Sequence, residues 1–289
     1  MSVQKQTIEL LSLTEKIVGE LYLPENGPAC PALIICHGAG EFKENYAELC
    51  GWLASRGIVA LAIDMHGHGE SQGERFHVKM DEWVADIRAA LEFLTQHSRV
   101  CPERIGAFGL SSGGTAILEA ALVEPRLKAL VALDATVRTS MPWYATATLK
   151  GLSAFGWLKR LVTRTEFRLC LLGMLQGIRL ASDPEVDKRL RDDPRSTEAF
   201  RSFPLPGAAQ SFFVDTLTRV SQIRIPTLVL WGEDDQLDSP ETARLLYNTL
   251  MCKKQLHIIP GNGHVGHLDR NREQVFSLTA KWAFENLAA

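Results

Sequence analysis

The chain predicts an α/β fold, a mainly parallel central sheet with helices on both faces, interrupted by one helical insertion. Two observations predict it. Short, continuous apolar runs alternate with amphipathic stretches, the pattern that crossover connections between parallel strands produce. That alternation breaks at residue 138 and resumes at residue 226. With 289 residues, 46% hydrophobic and 22% charged, one sheet domain with an insertion can bury a large core. The same figures exclude disordered, collagen-like and disulfide-dense classes.

Taken in order, residues 7–13 and 16–22 read as an opening hairpin. Residues 32–36 (ALIIC) form a strand covered on both faces, because nothing in the run is polar. Tyr46, Leu49 and Leu53 recur at helical spacing, and residues 58–63 (IVALAI) are a second buried strand ending at Asp64. Met80, Val84, Ile87, Leu91 and Leu94 are spaced 4, 3, 4, 3, the stripe of an amphipathic helix. Residues 105–110 are a third buried strand, 115–123 the helix behind it, and 129–133 a fourth strand. From 138 to 221 no buried strand is evident, only helices and loops. The pattern resumes with a strand at 227–231 (TLVLW), a helix at 240–250, a strand at 255–259 and a closing helix over 280–287. The expected division is therefore a core of 1–137 and 222–289 with a helical insertion, 138–221.

The net charge, 31 minus 34 or −3, offers no basic excess for nucleic acid. Charges interrupt every apolar stretch before the ~18 residues of a membrane span. The start, MSVQKQTIELLSL, lacks the basic and apolar regions of a signal peptide, so a cytoplasmic location is expected. Six cysteines without a C-x-x-C pair are expected to be reduced, buried thiols.

Chemistry concentrates in loops that follow the strands. Gly109-Leu110-Ser111-Ser112-Gly113 is a G-x-S-x-G at a strand-to-helix junction. A sharp turn there lifts a serine hydroxyl above the sheet, and only glycines two residues either side leave room for it. Ser112 is the competing nucleophile, but Leu110 stands where its first glycine should be, so Ser111 is preferred. A serine needs a base oriented by an acid. The base is His264, after strand 255–259; the acid belongs to Glu233-Asp234-Asp235-Gln236-Leu237-Asp238, after strand 227–231. Both loops lie at the same sheet edge as Ser111. His37-Gly38-Ala39-Gly40 follows the ALIIC strand and can turn amides toward Ser111. The expected oxyanion donors are the N–H groups of Ala39 and Ser112, with the His37 imidazole packing under the loop.

Together, HGAG (37–40), DMHGHGESQGER (64–75), GLSSGG (109–114), WGEDDQLDSP (231–240) and PGNGHVGHLD (260–269) resemble an α/β-hydrolase, specifically its monoacylglycerol-lipase and serine-aminopeptidase-like branch. The resemblance implies Asp235 as the triad acid, with Asp234 and Asp238 in reserve, His264 as the base, and a helical cap where 138–221 lies. The turn differs from that branch's usual Gly-His-Ser-x-Gly, and His66 stands where many relatives have arginine. The pairs His66/His68 and His264/His267 are explained by the glycine-rich loop and the triad, so no metal is expected. No P-loop or dinucleotide fingerprint is present, and no cofactor is implied.

The implied activity is a serine hydrolase cleaving small-molecule carboxylic esters through an acyl-enzyme. The alternatives are a thioesterase or acyltransferase acting on acyl-CoA or carrier-bound acyl groups, a peptidase, and a ligand-binding homologue without turnover. The insertion, with 13 Lys/Arg against 8 Asp/Glu or +5, has three readings. It is an amphipathic lid packing its apolar faces on the core, a basic mouth for anionic substrates, or a face that touches a membrane surface.

Overall fold

A hairpin opens the chain. β1 (Val3–Ser12) and β2 (Glu15–Pro24) pair antiparallel around Leu13 and Thr14, both at positive φ, which matches the strand twist of a two-residue hairpin. The computed structural model describes residues 2–139 and 141–287. Next come β3 (Cys30–Cys36), α1 (Ala47–Ala54), β4 (Val59–Ile63), α2 (Met80–Gln96), β5 (Val100–Leu110), α3 (Ser112–Val123) and β6 (Leu130–Leu133). The insertion supplies α4 (Trp143–Thr163), β7 (Phe167–Leu169), α5 (Pro184–Asp192), α6 (Pro194–Arg201) and β8 (Phe203–Leu205). The chain closes with β9 (Thr227–Gly232), α7 (Pro240–Thr249), β10 (Lys254–Ile259) and α8 (Arg272–Asn286).

Eight strands form one sheet in the order β1-β2-β4-β3-β5-β6-β9-β10. β2 runs antiparallel to β4, and every pair from β4 to β10 is parallel. Alternate side chains of these strands feed two cores. Ile34, Leu61 and Val229 face α2 and α3, while Leu33, Ile35 and Leu230 face α1 and α8. The parallel strands therefore had to be apolar on both faces, as their sequences are. Because they are parallel, their following loops share one edge, and Asp64, Ser111, Asp134, Asp235 and His264 gather there.

Two expectations are corrected. The insertion does contain a strand pair, β7 with β8, and β8 is buried. Each strand is three residues long and its partner lies over thirty residues away, so no local periodicity marks it. Only Cys36 and Cys50 are buried; Cys30, Cys101 and Cys252 are half-buried and Cys170 is exposed, all six as free thiols.

The insertion sits on the loop edge of the sheet. Ser196 Oγ donates to the Gly40 carbonyl (2.8 Å), and Arg195 pairs with Glu44 (2.9 Å) while stacking over Phe42. Asp269 accepts the amides of Ser182 (2.7 Å) and Asp183 (2.8 Å). Glu166 meets the buried His77, and Arg160 pairs with Glu74. α4 behaves differently from an ordinary lid helix. It packs on β7 and β8, with Gly156 against Leu205 and Phe167 and with Leu149 buried, whereas Trp143 (82% exposed), Tyr144, Phe155, Trp157, Leu158, Leu161 and Val162 (73% exposed) face outward. Among the described residues no helix is long and apolar enough to cross a membrane.

The loop after β4 is fixed by a buried cation. Lys43, 1% exposed, places Nζ on Asp64 (2.7 Å), Glu44 (2.9 Å) and Glu70 (2.6 Å). Burial alone would lower the ammonium's pKa, but the three carboxylates outweigh it and raise it. Removing the amine strands the fully buried Asp64 as an unpaired charge, so Lys43→Met should lose about 3–5 kcal/mol of stability in urea unfolding.

Candidate active site

Ser111 stands between β5 and α3 at φ 50°, ψ −118°, a conformation that non-glycine residues avoid. Its flanking glycines are sterically required. A Cβ on Gly109 would lie 2.3 Å from the Gly113 carbonyl oxygen, and one on Gly113 would lie 2.4 Å from that of Cys36. Ser112 is the first residue of α3, buried against the sheet. Its N–H has no intrahelical acceptor and points out of the helix start.

The loop after β3 is held by two side chains. The Gly38 carbonyl lies 2.7 Å from His37 Nδ1 and accepts the Glu41 N–H (3.2 Å). His37 Nε2 accepts the Met65 N–H (3.0 Å), which makes Nδ1 the protonated nitrogen. Glu41 also accepts the Gly38 N–H (3.1 Å) and the Tyr46 hydroxyl (2.7 Å). With the Gly38 carbonyl pinned on one side, the Ala39 N–H of the same peptide plane points to the other. It has no hydrogen-bond partner among the described residues. His37 therefore orients this loop from beneath.

The loops after β9 and β10 bring Asp235 and His264 together. His264 Nδ1 is 2.8 Å from Asp235 Oδ2, and Asp235 Oδ1 accepts the amides of Leu237 (2.8 Å) and Asp238 (3.1 Å). A carboxylate only accepts, so Nδ1 carries a proton and Nε2 is the ring nitrogen left to take or give one. Of the reserve acids, Asp234 takes the Ser182 hydroxyl (2.9 Å) and Asp238 takes Thr136 Oγ1 (2.7 Å); neither bonds His264. Ser111 Oγ in turn contacts Thr136 Oγ1 at 3.4 Å, and no Ser111–His264 hydrogen bond is formed in this conformation. One rotation about χ1, a picosecond-to-nanosecond event, turns the hydroxyl away from Thr136.

Three further residues went unmarked in the sequence. Asp134, fully buried at φ 43°, accepts the Gly232 N–H (2.7 Å). Burial and then the Asp235 charge push its carboxyl well above the usual range. Asp269 anchors Gly263 beside the base (2.6 Å). Thr136 links Ser111 to Asp238. Asp134 and Thr136 follow a predicted strand directly, which was the available signal.

His66 bonds Asp86 and His68 bonds the His66 carbonyl (3.0 Å), so the two rings serve separate partners. His267 stacks on Tyr46 at 4.2 Å. Glu74, His77 and Glu166, and likewise Glu44, Asp64 and Glu70, lie close enough to share an ion. Lys79, Arg160 and Arg168 already neutralise the first group and Lys43 the second. A concavity of about 420 Å³ between α2, α3 and residues 210–219 contains neither Ser111 nor His264. Convergent chemistry, not cavity size, locates the site.

His264 is buried, which lowers its pKa, but Asp235 outweighs burial and raises it from 6.5 to about 10, with Asp134 and Asp238 adding to the pull. Protonation of Asp134 weakens that added pull, so the upward direction rests mainly on Asp235. The folded-state value lies above the unfolded one. Stability from this pairing is therefore full below about pH 6.5 and is lost as pH rises toward 10. In imidazole NMR titration, His264 should titrate well above 6.5, and Asp235→Asn should bring it down.

Residues 27–271 match the family described as serine aminopeptidase, S33. The human monoglyceride lipase is 27% identical over 285 residues, 92% of this chain and 86% of the relative. A polyketide transferase, ATR5, of Stachybotrys chlorohalonatus is 26% identical over 255 residues, 84% of each chain. The crystal structure of the α/β hydrolase GrgF from Penicillium sp. sh18 superposes with a TM-score of 0.81 at 18% identity, covering 99% of this chain and 100% of that one. Sheet order, loop placement and a family match spanning the core and its insertion agree: the chain belongs to the serine aminopeptidase, S33, family, in the monoacylglycerol-lipase-like branch of the α/β-hydrolases.

Proposed function

We propose that the protein hydrolyses small-molecule carboxylic esters through an acyl-serine intermediate on Ser111. One observation carries this reading: a strained serine turn shares a sheet edge with an imidazole whose Nδ1 is held by Asp235, leaving Nε2 free. Ser111 rotates off Thr136 toward His264, and its hydroxyl proton passes to Nε2 as Oγ attacks the carbonyl. The developing oxyanion takes the amides of Ala39 and Ser112, both without other partners among the described residues. His264 then returns the proton to the leaving alcohol. Asp235 holds the tautomer and stabilises the imidazolium. No step calls for a cofactor.

In this role residues 138–221 are the cap. Between Ala39, Gly40, His68, Phe76, Ala199 and Phe200 remains an apolar cavity of only about 10 Å³, room for about one water. The likeness to a polyketide transferase favours, as second reading, acyl transfer or thioester cleavage by the same serine. Free thiols at all six cysteines fit the reducing cytoplasm.

Of the three readings of the insertion, the outward apolar face of α4 supports contact with an anionic lipid surface. From residue 138 to 165 there is no Asp or Glu. Arg138, Lys150 and Arg164 have no ion-pair partner among the described residues. A basic, tryptophan-bearing apolar face is the signature of an interfacial helix.

Ser111→Ala and His264→Ala should each cut p-nitrophenyl ester turnover by roughly 10⁴–10⁶-fold, and Asp235→Asn by about 10⁴-fold, while Asp234→Asn stays near wild type. Ordinary turnover in Ser111→Ala, or no fluorophosphonate adduct on Ser111, would refute the mechanism. The protein should co-sediment with phosphatidylglycerol-containing vesicles more than with phosphatidylcholine alone. Trp157→Glu with Leu161→Glu should abolish that difference without altering turnover of a water-soluble ester.

A further inference from the structure

Thr136, whose hydroxyl meets Ser111 Oγ, and its partner Asp238 have no chemical role in the mechanism so far. Thr136 is fixed through its backbone, its N–H directed at the Ser111 carbonyl (3.4 Å) and its own carbonyl accepting Thr115 Oγ1. Its hydroxyl donates to Asp238 Oδ2 (2.7 Å). Asp238 is itself fixed, with its N–H on Asp235 Oδ1 and its carbonyl accepting Trp231 Nε1 (2.7 Å). With its one proton committed to Asp238, Thr136 Oγ1 offers only lone pairs toward Ser111. In the free enzyme the Ser111 hydroxyl occupies that acceptor.

We propose that Thr136, its proton held by Asp238, is a positioning residue that orients the deacylating water and so favours water over alcohols and thiols as acyl acceptor. The inference rests on the acyl-serine reading. Once Ser111 carries an acyl group its oxygen has no hydrogen, and the Thr136 acceptor is vacated. A water has two hydrogens. One goes to His264 Nε2 as the water oxygen attacks the acyl carbon, and the other stays on that oxygen, donated to Thr136 Oγ1. The carbon–Oγ bond then breaks, His264 returns its proton to Ser111 Oγ, and the carboxylic acid leaves. An alcohol or thiol has one hydrogen, which His264 requires. Bound in the same place it sets two oxygens, or a sulfur and an oxygen, together without a proton between them. That loss falls on transfer and not on hydrolysis.

The test is partitioning of one acyl-enzyme between two acceptors. With p-nitrophenyl butyrate and a fixed methanol concentration, the ratio of methyl butyrate to butyric acid is measured by gas chromatography. Thr136→Val, nearly isosteric but without the acceptor, should raise the ratio roughly fivefold, the factor one ordinary hydrogen bond supplies. Thr136→Ser should restore the wild-type ratio. Asp238→Ala frees the Thr136 proton for an alcohol oxygen and should also raise the ratio. The ratio is set within each acyl-enzyme, so partial misfolding of a variant does not move it. Fluorophosphonate labelling of Ser111 is followed in parallel. Absence of labelling in the wild type removes the acyl-serine reading itself. Labelling with an unchanged or lowered ratio in Thr136→Val and Asp238→Ala overturns the role of Thr136 alone.

Discussion

One backbone conformation governs the organisation of this edge. Ser111 is held at φ 50°, which costs about 1–3 kcal/mol in isolation, because β5 runs straight into α3 with no room to relax. Gly109 and Gly113 let the turn close against the Gly113 and Cys36 carbonyls. That closure brings the start of α3 against the loop after β3, with Gly113 at the Cys36 and His37 carbonyls and Gly38 at Ser111 Cβ. Everything else around Ser111 is arranged relative to that point.

Polar groups around the turn are divided so that few compete. Three aspartates follow β9, and each has its own partner. Asp235 takes the imidazole, Asp238 the Thr136 hydroxyl and Asp234 a serine of the insertion. Asp134 is the exception, a fully buried carboxyl whose second oxygen has no hydrogen-bond partner among the described residues. Burial beside Asp235 favours its protonated form, which spares the site a second buried negative charge. The imidazole is thus in hydrogen-bond contact with one carboxylate, Asp235, while Asp134 and Asp238 act on it only at longer range.

The insertion joins the core by polar contacts and leaves its most apolar helix face outside. α6 and residues 180–183 bond directly to the loops after β3 and β10. α4, about 30 Å long, packs on β7 and β8 and leaves aromatic and aliphatic side chains in solvent. Such a surface is unusual on a globular protein.

The order of strands and helices, the shared sheet edge, and the positions of Ser111, His264 and the aspartate loop were legible in the sequence. Each depends on neighbours along the chain: apolar runs long enough to cross a sheet, glycines at fixed offsets, and polar loops directly after strands. Choosing Asp235 over Asp234 and Asp238 required the family resemblance, since spacing alone left the loop open. What only tertiary structure decided is which groups meet across distance. Thr136 joins Ser111 to Asp238 over 25 and 102 residues, and β7 finds β8 beyond two intervening helices. The apolar face of α4 turns outward because Leu149 and Gly156, not its tryptophans, fit the surface beneath. Periodicity in a sequence states that a helix has two faces, and only packing against the rest of the chain determines which one is buried.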